Sequence, residues 1–216
     1  MMVVECRIRI SSEDYYSCDL TKKIPVRVSI VTIDGDTGFG ITEPLEHGEQ
    51  ALQAYVDGLR ESPSVLEVDV TYRSSQAYWT RVVHRLNRDS IYETVLRNGC
   101  MTRLPIVIQR GVQHHNILAP SRNLLGQLLQ DLRKRFTKVE IARVRERPTD
   151  PSRAILTEKQ QEALVLAYKS GYYDMPRKVK LADLGEKLGI RRVAMQERLR
   201  RAELRVLTEF TEEMLA

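Results

Sequence analysis

The sequence predicts an α+β domain followed by a smaller all-α domain. Three observations carry this. Up to residue 147, short runs with strand periodicity alternate with runs of helical spacing. The stretch Arg147-Pro148-Thr149-Asp150-Pro151-Ser152 then places two prolines among turn-forming residues, which marks a connection. Beyond it every periodic segment is helical. The expected organisation is residues 1–147 as the α+β domain, 148–152 as a linker and 153–216 as the helical domain.

Taken in order, residues 24–31 alternate apolar and polar side chains with many β-branched ones, so they read as a strand. Residues 34–38, Asp-Gly-Asp-Thr-Gly, form a turn, and 39–44 the returning strand. Leu52, Tyr55, Val56 and Leu59 share one helical face within 48–59. Residues 65–70 form another strand. A second series follows: strand 77–83, helix 89–97 closed by Asn98-Gly99, strand 104–109, turn at Gly111 and strand 112–118. Ser121 caps a helix to about Arg135 with Leu124, Leu125, Leu128, Leu129 and Leu132 on one side, and 138–144 is the last strand. This β-α-β-β-α-β order is the ferredoxin-like pattern. The β-β-α-β run before it resembles part of a related unit. The expectation is a ferredoxin-like or ACT-like domain, single or tandem, with an antiparallel sheet covered by helices on one face.

Composition excludes several classes. With 42% hydrophobic residues among 216, the chain can bury a core, yet no apolar run reaches the ~18 residues of a membrane span. Glu5, Arg7 and Arg9 interrupt the start, so no cleavable leader is expected and a cytoplasmic location is. Three widely spaced cysteines, Cys6, Cys18 and Cys100, offer no CxxC and read as reduced, buried thiols. His114 and His115 alternate on a strand and so face opposite ways, which argues against a shared metal. No phosphate-binding or nucleophile-elbow motif is present, and no cofactor or metal is expected. The adjacent Tyr15 and Tyr16, and Trp79, read as packing residues.

Charge is distributed unevenly. Residues 1–150 hold 21 Lys and Arg against 19 Asp and Glu, whereas 151–207 hold 13 against 7. The final stretch adds Glu209, Glu212 and Glu213. A basic segment near one end suits a polyanionic partner.

Within that segment, Thr157 and Gln160 form a capping box that starts a helix. Its expected buried face is Ala163, Leu164, Leu166, Ala167 and Tyr168, and Ser170-Gly171 ends it. A second helix spans 180–188 with Leu181, Leu184 and Leu188 inward, closed by Gly189 and pinned by Ile190. The third runs from Arg191 to about Glu209 on Met195, Leu199, Ala202 and Val206, spaced 4, 3 and 4. Two helices joined so tightly form a helix-turn-helix, whose later helix can enter a major groove while its back stays packed. With Met195 and Leu199 inward, Arg192, Val193, Gln196 and Glu197 are accessible near its start. Arg192 can read guanine, Gln196 adenine and Glu197 cytosine, and Val193 can touch a thymine methyl. Arg191 opens the helix beside them, while Arg200, Arg201 and Arg205 suit phosphates, as do Lys178 and Lys180 ahead of the second helix. A Glu197–Arg201 pair on the helix surface is the competing use of those two charges.

These residues resemble a known family. Residues 156–160, 167–177, 181–190 and 196–203 are similar to the bacterio-opsin activator type helix-turn-helix of archaeal transcription regulators. The connection Gly-Tyr-Tyr-Asp-Met-Pro-Arg at 171–177 is the most specific part, and the likeness covers about 156–207. It implies a sequence-specific regulator whose third helix reads DNA. One departure is visible: the family carries small polar residues where this chain has Arg191-Arg192-Val193-Ala194.

The leading reading is a transcription regulator that binds double-stranded DNA as a homodimer. Residues 1–147 would dimerise or sense a small-molecule effector, and the protein would be nucleoid-associated. The dimer interface could use helix 121–135, a sheet edge or the acidic tail after Thr208. The alternatives are an architectural, weakly specific DNA binder, and a metabolite-binding module or enzyme with a helical assembly tail.

Overall fold

The computed structural model describes residues 2–13, 15–86, 88–148 and 156–214. The chain divides into two compact units, one up to Glu146 and one from Arg147 onward.

The first unit contains eight strands and four helices: β1 (Met2–Ser11), α1 (Tyr16–Lys23), β2 (Val26–Asp34), β3 (Thr37–Pro44), α2 (Gly48–Glu61), β4 (Val65–Arg73), β5 (Tyr78–His84), α3 (Ile91–Arg97), β6 (Met101–Gln109), β7 (Val112–Ala119), α4 (Arg122–Arg135) and β8 (Lys138–Pro148). The strands form one sheet in the order β4-β5-β3-β2-β6-β7-β1-β8. The pairs β1–β7, β2–β3, β2–β6, β3–β5, β4–β5 and β6–β7 are all antiparallel.

Two elements escape the sequence reading. β1 alternates buried Val4, Cys6, Ile8 and Ile10 with Arg7 and Arg9. Arg7 and Arg9 lie on the opposite side of the strand from these residues, as does Glu5, which is itself buried. α1 is short, and Tyr15 at its start supplies no side-chain cap. β8 also runs past the expected end at Val144 to Pro148, with Arg122 Nε bonded to Glu146 at 2.8 Å. The expected linker begins at that Pro148; its remainder, 149–152, lies outside the described residues.

The strand grouping differs from the contiguous unit expected over 77–144. β5 lies between β4 and β3, and β1 takes the place between β7 and β8. In chain order the elements run β-α-β-β-α-β twice, and the leading strand of each run sits among the strands of the other. The two halves meet through β2 and β6, with Ser29 opposite Val107.

Helices cover one face. α4 buries Leu125, Leu128, Leu129 and Leu132 with β1 residues, α3 and Phe136 in one cluster. α2 buries Leu52, Tyr55, Val56 and Leu59 with Val26, Val28, Ile106 and Ile108 in a second. Each fully buried leucine contributes about 1.5–3 kcal/mol. Ser90 caps α3: its Oγ accepts from the Glu93 amide at 3.1 Å, and the Glu93 carboxylate accepts from the Ser90 amide at 2.7 Å. On the uncovered face Trp79 is 51% exposed and touches Tyr72 at 5.4 Å between ring centroids, so it packs less than expected. All three cysteines are buried, and none forms a disulfide.

The second unit contains α5 (Glu158–Lys169), α6 (Leu181–Lys187) and α7 (Arg192–Met214). No described helix is long and apolar enough to cross a membrane.

Candidate nucleic-acid interface

The capping box forms as the sequence dictates. Thr157 Oγ1 accepts from the Gln160 amide at 3.3 Å, and Gln160 Oε1 accepts from the Thr157 amide at 3.0 Å. Ala163, Ala167, Leu184, Met195 and Leu199 form the buried core, with Leu164, Leu166, Leu181, Leu188 and Ile190 packed against it. Tyr168, expected inward, is 74% exposed. Val206 is also on the surface, at 39% exposure. Contact with α5 nevertheless continues past Ala202, through Arg205 and Gln160, and Glu209, one turn beyond Val206, is again buried.

The turn between α6 and α7 is built by two glycines with different tasks. Gly189 adopts φ 63°, the left-handed conformation that stops α6. Gly185 is buried within α6, and a Cβ there would lie 2.7 Å from the Ile190 carbonyl oxygen. The returning chain passes directly over it, and the Ile190 amide donates to the Gly185 carbonyl at 2.9 Å. Sequence reading identified Gly189 and missed Gly185. The available signal was a glycine four residues before a terminal glycine, inside a helix where alanine would be preferred.

The Gly-Tyr-Tyr-Asp-Met-Pro-Arg connection is held by its own side chains. The Arg177 guanidinium stacks on Tyr172 at 4.7 Å, Tyr172 and Tyr173 meet edge-on at 5.1 Å, and the Tyr173 hydroxyl donates to Glu203 on α7. The Lys178 amide donates to the Gly171 carbonyl at 3.0 Å, closing the loop. The connection therefore braces α7 from outside its core.

The sequence-predicted site residues divide into two sets. Arg191, Arg192, Val193, Gln196 and Arg200 are exposed, and Val193 reaches 72%. Arg191, Arg192, Gln196 and Arg200 make no side-chain hydrogen bond or ion pair with other described residues. The second set is engaged. Glu197 pairs with Arg201 one turn on. Arg205 donates to Gln160 Oε1 at 3.0 Å, joining α7 to the cap of α5. Lys178 Nζ lies 2.8 Å from Asp174, and that hydrogen bond raises the lysine's pKa above its ordinary value. Lys180 is exposed, and its amide donates to the Asp183 carboxylate at 2.8 Å, capping α6. Of the first set, Arg191, Arg192 and Gln196 sit at the start of α7 beside fully buried Met195, and Arg200 follows Leu199. A core-locked helix that offers unpaired arginines and an amide at one end can bond base edges and phosphates.

Comparison with known proteins agrees with this geometry. Residues 156–208 match the family described as HTH DNA binding domain, and this segment is a helix-turn-helix domain of the bacterio-opsin activator type. The dimethyl sulfoxide reductase transcriptional activator of Haloferax volcanii is 45% identical over 53 residues, covering 24% of this chain and 25% of that protein. The protein of the same name from Halobacterium salinarum is 30% identical over 127 residues, covering 53% of this chain and 56% of that one. The matches thus span a quarter and just over half of the relatives' own lengths. The longer one exceeds the helical unit and also takes in part of the sheet unit.

Proposed function

We propose that this chain is a sequence-specific, DNA-binding transcription regulator, not an enzyme, in which α7 reads the major groove. The observation that carries the reading is the start of α7, where Arg191, Arg192 and Gln196 are exposed and have no side-chain partner among the described residues while Met195 and Leu199 are buried. Arg192, Val193 and Gln196 take the base edges; Arg191 and Arg200 take phosphates, with Lys180 ahead of α6. Glu197, Arg201, Arg205 and Lys178 reach DNA by exchanging the intramolecular partners described above. The regulators named among the relatives support the same role. The protein then works in the cytoplasm, on the nucleoid.

The test is binding to its own promoter fragment and to a scrambled fragment across a salt series. A preference of ~10³ or more is expected for the promoter. Equal binding to both, falling steeply with salt, would favour an architectural binder instead.

In this proposal the N-terminal unit, residues 1–147, consists of two ferredoxin-like halves that exchange leading strands, and it dimerises, senses a ligand, or both. It gives way to the DNA-binding unit, 153–216, through the linker 148–152. The far end of α7 supports pairing with a second copy. Leu204, Leu207 and Phe210 are exposed at spacings of three, on one side of the helix. An antiparallel pair centred on Leu207 would place the two reading turns roughly 36 Å apart along the helix axes, at 1.5 Å per residue. That matches one duplex turn between half-sites. The double substitution Leu204→Glu, Leu207→Glu is expected to halve the mass measured by light scattering without lowering the unfolding temperature. A variant that keeps the wild-type mass would exclude this seam.

A further inference from the structure

The helix-facing side of a central strand normally carries large apolar side chains. On β3 the inward positions 38, 40 and 42 read Gly, Gly and Thr. Neither glycine has a positive φ, and neither is required by a close approach. A Cβ at Gly38 would meet nothing within 4 Å, and one at Gly40 would lie an ordinary 3.4 Å from the Ser29 carbonyl oxygen. The missing side chains leave a cavity of about 70 Å³ between sheet and helices. A water needs ~10–15 Å³ of such space, so the cavity has room for several waters or one ring-sized molecule. A void of this size weakens a core, which makes two permitted but absent side chains informative. Glycine inside a strand commonly marks the close approach of a ligand.

The walls define what fits. Val28, Ile106 and Ile108 come from the sheet, and Tyr16, Tyr55 and Leu59 from the helices. Among the described residues lining it there is no Asp, Glu, Lys or Arg. Burial raises the hydroxyls of Tyr15, Tyr16 and Tyr55 well above their ordinary pKa, so they stay neutral.

One end is polar. Gln113 Nε2 donates to Ser17 Oγ at 2.9 Å, which turns its amide oxygen to His115 Nε2 at 3.0 Å. That nitrogen therefore carries the ring proton, and Nδ1 keeps a bare lone pair. His115 is 2% exposed, and its Nδ1 has no partner among the described residues. Burial pushes the imidazole down to about 3, so it does not meet the need by protonating. A buried acceptor without a donor is costly, and a ligand O–H or N–H relieves it.

We propose that this cavity is a ligand site for an uncharged, ring-sized molecule carrying one O–H or N–H donor, which His115 Nδ1 accepts. The proposal deepens, and rests on, the reading of the N-terminal unit as a sensor.

Calorimetric titration of the full chain tests it, with phenol as the probe, anisole as the same ring without a donor, and benzoate as a charged one. Phenol is expected to saturate at one per chain, roughly tenfold tighter than anisole, the worth of one hydrogen bond. Benzoate is expected not to bind. His115→Leu should remove the preference for phenol over anisole. The double variant Gly38→Leu, Gly40→Val should abolish binding and unfold at an equal or higher temperature. Gly38→Leu alone serves if the double variant does not fold. Absence of saturable phenol binding, or equal binding to the filled variants, would overturn the site. Equal affinity for phenol and anisole in the unaltered chain would overturn the acceptor role of His115. Saturable binding that leaves promoter affinity unchanged would uphold the site and refute the sensor reading, so the two failures are distinct.

Discussion

Replacing Arg192 with alanine is expected to lower affinity for the promoter fragment by roughly 10- to 100-fold, the loss of one bidentate base contact. Affinity for a scrambled duplex is expected to stay within about threefold. Arg192 opens α7, is exposed, and has no intramolecular partner among the described residues. Nothing in the fold depends on it. A cation at a helix N-terminus opposes the macrodipole by about 0.3–1 kcal/mol, and Arg191 and Arg192 place two there. Removal should therefore leave the unfolding temperature unchanged or slightly raised, so lost binding cannot be ascribed to lost structure. Arg200→Ala provides the contrast. A phosphate contact weakens all sequences alike and reduces the salt slope by about one. If Arg192→Ala also weakened both duplexes equally, the start of α7 would be holding backbone rather than reading bases.

The DNA-binding unit was largely legible because its signals are local. A capping box, a terminal glycine and a 4, 3 spacing each lie within one turn or two. What failed there failed towards the ends of helices, at Tyr168 and Val206, where periodicity alone does not fix burial. Val206 keeps the phase of Met195, Leu199 and Ala202, yet it is 39% exposed. In the sheet unit most strands were legible from alternation, but their neighbours were not. Nothing in β1 or β5 announces that each leaves its own run, since register and adjacency are properties of pairs. The cavity was illegible for the same reason. Ser17 and Gln113 are 96 residues apart, and only the fold brings them together. Read singly, His115 is a strand residue and Gly38 a turn residue.

Gly185→Ala carries the second large effect. Its added methyl would sit 2.7 Å from the Ile190 carbonyl oxygen and 3.5 Å from the Arg192 amide nitrogen. Both are backbone atoms at the start of α7, so no side chain can swing aside. Relief requires opening the turn, which stretches the hydrogen bond from Ile190 to Gly185 and lifts Met195 and Leu199 from Leu184. Overpacking costs about 1–3 kcal/mol and the hydrogen bond about 1 kcal/mol more. A three-helix unit of this size holds only a few kcal/mol in reserve. Calorimetry should show its unfolding temperature falling by roughly 10 °C or more, with promoter binding reduced in step. The transition of the sheet unit should not move. Gly189→Ala separates the two kinds of constraint. Nothing lies within 4 Å of a Cβ at Gly189, so only the left-handed backbone at φ 63° is strained, at about 1–2 kcal/mol. Gly189→Ala should therefore destabilise less than Gly185→Ala and retain more binding. The reverse order would mean that the turn is held by backbone conformation, and that α6 and α7 have room to separate.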